Sequence, residues 1–65
     1  MRERKFMREI KRISTLSLNQ LRARAARNKR LLRTAAECRF RKAYAMRKTL
    51  GRLYGQAIAA RMRQV

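Results

Sequence analysis

Apolar residues in this 65-residue chain come in short clusters that recur one helical turn apart. Stepping 100° per residue from Leu18, the positions Leu18, Leu21, Ala25, Leu32, Ala36, Ala43, Leu50, Tyr54 and Ala57 fall within about 60° of one line. Alternation at a period of two is absent, so the pattern is that of a helix. Ile10, Leu21, Leu32, Ala43, Tyr54 and Val65 also recur every eleven residues, which supports a straight helix. The stripe is narrow and rich in alanine. It suits packing against one protein neighbour better than enclosing a core.

Local signals divide the chain. In Leu16-Ser17-Leu18-Asn19-Gln20-Leu21, Ser17 can cap the backbone N–H of Gln20 while the Gln20 side chain reaches back. Leu16 and Leu21 stand where a hydrophobic staple would clamp that cap. A helix therefore starts at Ser17. Ahead of it, residues 2–13 predict a short helix with Phe6, Ile10 and Ile13 on one side, and residues 14–17 form a junction. There is no proline, and nothing forces a stop between Leu18 and Gly51. A helix over 18–50 would be about 50 Å long at ~1.5 Å per residue. Gly51 either caps it or lies inside a continuing helix, and residues 52–64 read as a helical tail. Gly51, Gly55 and Ala59 form a small-residue strip along one side. The expected architecture is all-α: one unit over residues 1–65, with a short helix, one long extended basic helix possible to break near Gly51, and no independent globular core.

Composition sharpens that expectation. Lys and Arg number 20 against three acidic residues and no His, for a formal net charge of +17. Of the 46 % hydrophobic content, a third is alanine. High charge with few large apolar side chains predicts weak order in isolation. A chain of this size also buries little surface. Cys38 is the sole cysteine, so no intrachain disulfide exists, and without His no zinc set is credible. No apolar stretch approaches the ~20 residues that span a bilayer. A secretory h-region is missing too, and the Arg-rich start is not distinct from the rest of the chain. Secretion is not expected.

The charges surround the predicted helix. Arg22, Lys29 and Arg39 flank the stripe; Arg30, Arg33 and Lys48 lie further round; Arg27, Arg41 and Arg52 are opposite; Arg24 and Lys42 fill the remaining side. A helix lying on a membrane segregates a broad apolar face from a basic one, which this chain does not. A merely solvated helix would mix signs in i,i+4 pairs, for which only Glu3, Glu9 and Glu37 are available. All-round charge fits a helix that meets phosphates from several directions. Arginine outnumbers lysine fifteen to five. Its guanidinium forks phosphates and stacks on bases, a bias towards structured RNA.

The candidate nucleic-acid-binding residues are therefore Arg22, Arg24, Arg27, Lys29, Arg30, Arg33, Arg39, Arg41, Lys42, Arg47, Lys48 and Arg52. Phe40 and Tyr44 are candidates for stacking on an unpaired base, with contact to a protein neighbour as the plainer alternative. Leu18, Leu21, Leu32, Leu50 and Tyr54 are expected to dock on a neighbouring protein. Residues 34–42 partly resemble the basic region of bZIP transcription factors. However, Leu31 stands where the base-reading Asn belongs and the Ala pair is displaced by one position, so no family is assigned.

No catalytic constellation is visible: there is no His, no Asp, no paired carboxylates and no glycine loop to cradle a phosphate. No enzyme, cofactor or small-molecule substrate is expected. The leading expectation is a small ribosomal component, bacterial or organellar, that neutralises rRNA phosphates beside neighbouring ribosomal proteins and is ordered on assembly. The rivals are a DNA-condensing protein of a virion or nucleoid, and a regulator that docks on an acidic protein.

Overall fold

The computed structural model describes residues 1–64 and is helical throughout, with three α-helices and no strand among them. Helix α1 spans Glu3–Arg12 and runs into a single 3-10 turn, Ile13–Thr15. Helix α2 spans Leu18–Glu37 and helix α3 spans Arg41–Arg63.

The start of α2 follows the local sequence closely. Ser17 Oγ accepts from the Gln20 backbone N–H at 3.2 Å, and the Ser17 N–H donates to Gln20 Oε1 at 2.9 Å. Both halves of the capping box are thus made, and Leu16 and Leu21 are buried in one cluster as the staple requires.

The long helix expected over 18–50 does not form. The chain reverses at residues 38–40, more than ten residues before Gly51. Arg39 N–H donates to the Ala36 carbonyl at 3.3 Å, and Phe40 N–H to the Ala35 carbonyl at 2.9 Å. Arg39 itself has φ 58°, in the left-handed region. These are the two bonds and the conformation of a Schellman C-cap. That position favours glycine, because a Cβ there crowds the following carbonyl at about 1–2 kcal/mol. An arginine gives no sequence signal for a stop, which is why the turn was illegible. Replacing it should help the fold: Arg39→Gly is expected to raise stability by about 0.5–1 kcal/mol in a thermal melt. A lower melting temperature would mean that the Arg39 side chain itself holds the turn.

Once the chain folds back, the stripe closes on itself. Leu21, Asn28 and Ala35 of α2 are buried seven residues apart, with Ala25 and Leu32 half-buried between them. Met46, Leu50 and Tyr54 of α3 face them. This 3-4 spacing is that of two helices packed side by side. Phe6, Ile10 and Ile13 then bring α1 onto the cluster of Leu16, Leu21, Leu50 and Tyr54. Glu3 lies near Lys42, Glu9 contacts Tyr54, and Arg61 donates to the Ser14 carbonyl. Helix α1 therefore runs parallel to α3 and antiparallel to α2.

Two expectations are corrected by this packing. The molecule is a body of 39 × 21 × 14 Å rather than a rod of about 50 Å, and it has a small core of its own. Of the residues expected to dock on a neighbouring protein, Leu21, Leu50 and Tyr54 are that core, while Leu18 and Leu32 are half-buried. The apolar stripe, expected to dock on a neighbouring protein, is instead a seam within the molecule. Its partner is the other half of the same chain. Gly51 neither caps nor breaks anything: no glycine has a positive φ, and α3 runs straight through it.

Candidate functional site

Folding back sorts the basic residues into three settings. Seventeen of the twenty are exposed, and only Arg24, Arg47 and Arg61 are half-buried, so the fold consumes little of the charge. Among the candidates, Arg22, Lys29, Arg30 and Arg33 lie exposed on α2, and Lys48 and Arg52 on α3. They occupy the parts of the two helices that the seam leaves uncovered.

The second setting is the hairpin tip. The turn and the first residues of α3 present Arg39, Phe40, Arg41 and Lys42. Phe40 is 61 % exposed, unusual for a phenylalanine in so small a chain. With Ala35, Ala36, Arg39, Arg41 and Tyr44 it lines an open depression. A flat apolar ring beside guanidinium groups is what base stacking requires. Tyr44 suits this role less well. It is half-buried, and the Lys48 ammonium lies 6.0 Å from its ring centroid. Of the two stacking candidates, only Phe40 is exposed. Lys42 Nζ lies 3.9 Å from Glu3, but both are largely exposed, so this pair counts for little.

The third setting lies between the helices. Glu9 of α1 is only 17 % exposed and accepts from Arg24 Nη1 at 3.1 Å and from the Tyr54 hydroxyl at 2.9 Å. Burial pushes the Tyr54 hydroxyl above its ordinary pKa, and its hydrogen bond to the Glu9 carboxylate adds to the rise. Arg24 is thus held in place by the fold rather than left loose in solvent. The same holds for Arg47, whose Nη1 donates to Asn28 Oδ1 at 3.2 Å. Asn28 is 3 % exposed, and its Nδ2 donates to the Arg47 carbonyl at 2.8 Å. A Cβ on Gly51 would lie 3.4 Å from that nitrogen, in contact with the amide. A buried amide in a helical seam favours one register over others.

The sequence reading missed Asn28 and Glu9. The signal for Asn28 was available: it lies seven residues from both Leu21 and Ala35, in line with the stripe. Glu9 had no such signal, because its partners Arg24 and Tyr54 lie 15 and 45 residues away. Cys38 is exposed and unpaired in the turn. Among the described residues no helix is long and apolar enough to cross a membrane, and no group of His, Cys, Asp or Glu is arranged to hold a metal. The chain matches no family model, no curated protein and no solved structure.

Proposed function

We propose that this chain is a non-enzymatic nucleic-acid-binding protein whose partner is structured RNA, as in a small component of a ribosome. The observation that supports it most is the exposure of seventeen cations on a body 39 Å long, with a formal net charge of +17. At physiological ionic strength the Debye length is about 8 Å, so neighbouring charges on such a surface repel one another. A polyanion relieves that repulsion, and counterion release adds a favourable term.

Two features favour RNA over duplex DNA. Arginine dominates the exposed cations, and Phe40 stands at the tip among Arg39 and Arg41 where an unpaired base can stack. The left-handed Arg39 adds to this. The chain keeps an arginine where glycine would be more stable, and such strain is tolerated where the side chain is used. Among the described residues the exposed large hydrophobics are Met7, Phe40 and Met62, and the apolar seam that could have received a protein partner is filled by the hairpin itself.

Competition binding tests this reading. At equal phosphate concentration a structured ribosomal RNA fragment is expected to displace the chain from duplex DNA. Equal affinity for the two would instead support a DNA-condensing role in a virion or nucleoid, which needs charge but no tip.

A further inference from the structure

A cleft of about 280 Å³ opens where α1 crosses the α2–α3 pair. Its walls carry four cations, Lys5, Arg24, Arg27 and Arg47, against the single carboxylate of Glu9. That carboxylate is already shared between Arg24 and the Tyr54 hydroxyl. The excess is therefore about three positive charges facing a concave space rather than open solvent. Low-dielectric walls focus such a field.

The cations are also held. Arg24 is fixed by Glu9 and Arg47 by Asn28, so two guanidinium groups keep their place before any ligand arrives. Fixed donors lose less side-chain freedom on binding than the long cations of an open surface. Lys5 and Arg27 are exposed at the same cleft and bond to none of the described residues, which leaves their heads available to close on a ligand. Convergent guanidinium and ammonium donors, without an acceptor to spare, select an anion with several oxygens.

We infer that this cleft seats one phosphate group of the nucleic-acid backbone, with Lys5, Arg24, Arg27 and Arg47 as its donors and Glu9 and Asn28 as positioning residues. The inference rests on the nucleic-acid reading for the source of the phosphate, but not for the site. It separates these four cations, which converge on one cleft, from those spread over the open surface, which contact phosphates without a defined geometry.

The test uses inorganic pyrophosphate as the probe, titrated into the full chain at constant ionic strength while the arginine side-chain N–H resonances are followed by NMR. Arg24, Arg27 and Arg47 are expected to shift along one saturating curve, while Arg12 and Arg63 drift without saturation. Lys5→Gln with Arg27→Gln should not lower the melting temperature, and should weaken pyrophosphate binding about tenfold. The same double variant should lower the slope of log affinity for RNA against log salt by about 0.7–0.9, the equivalent of the one phosphate the cleft seats. Arginines that all shift together without saturation would overturn the site. Saturable pyrophosphate binding with unchanged RNA affinity in the double variant would overturn the backbone as the source and point to a free phosphorylated ligand. Pyrophosphate saturation in a chain that binds no RNA at all would overturn the nucleic-acid reading, and the backbone source with it, while leaving the cleft as an anion site.

Discussion

Raising monovalent salt from 50 to 200 mM is expected to weaken binding to structured RNA by about 10³–10⁵-fold, the loss associated with 6–10 phosphate contacts. Each contact releases a condensed counterion, so log affinity should fall linearly with log salt. The molecule has enough cations for this. Seventeen are exposed, and any single RNA surface can meet only part of them, because they lie on more than one side of the hairpin. Charge reversal separates this from docking on an acidic protein by apolar contact. Arg30 and Arg41 are both exposed and take no part in the core, so Arg30→Glu with Arg41→Glu should not lower the melting temperature and should reduce RNA affinity steeply at low salt. A salt response that is flat, measured by fluorescence anisotropy with a labelled RNA, would count against RNA and DNA alike.

Leu50→Ala is expected to abolish the cooperative thermal transition at 25 °C. Leu50 and Leu21 have no exposed surface and sit in the cluster that joins all three helices. Removing a buried leucine side chain costs about 2–5 kcal/mol, part of it for the cavity left behind. A chain this small holds only about 3–5 kcal/mol in its core, so one such loss consumes most of the margin. Leu21→Ala should behave alike, whereas Met7→Ala, at a side chain 51 % exposed, should melt as the parent does. Circular dichroism at 222 nm against temperature makes the comparison. If Leu50→Ala melts like the parent, the hairpin is not held by its seam and the extended, core-less chain must be reconsidered. Because the fold carries +17, its melting temperature should also rise with ionic strength, as screening relieves repulsion between the helices.

Helical content, the residue at which α2 begins, and most of the side that each helix buries were legible in the chain, although Ala36 of the stripe is exposed and the buried Ala35 and Met46 lie outside it. Each depends on neighbours within one or two turns. The Ser17–Gln20 box and the Leu16–Leu21 staple close within six residues, and hydrophobic spacing of three and four names the buried side without knowing what covers it. The basic surface was equally open to reading, since most of its members do remain in solvent.

The end of α2 was not. Arg39 adopts the left-handed conformation without glycine or asparagine to announce it, because closing the seam outweighs a local cost of about 1–2 kcal/mol. The identity of the stripe's partner followed from that turn and could not precede it. The same is true of Arg24 and Arg47, which composition made interchangeable with every other arginine. Their difference comes from Glu9 and Asn28, side chains brought to them across separations of 15 and 19 residues. Local hydrogen bonding and periodicity thus wrote the helices and their polarity into the chain, whereas the reversal, the core and the cationic cleft arose from contacts between distant residues, whose energy no short window of sequence contains.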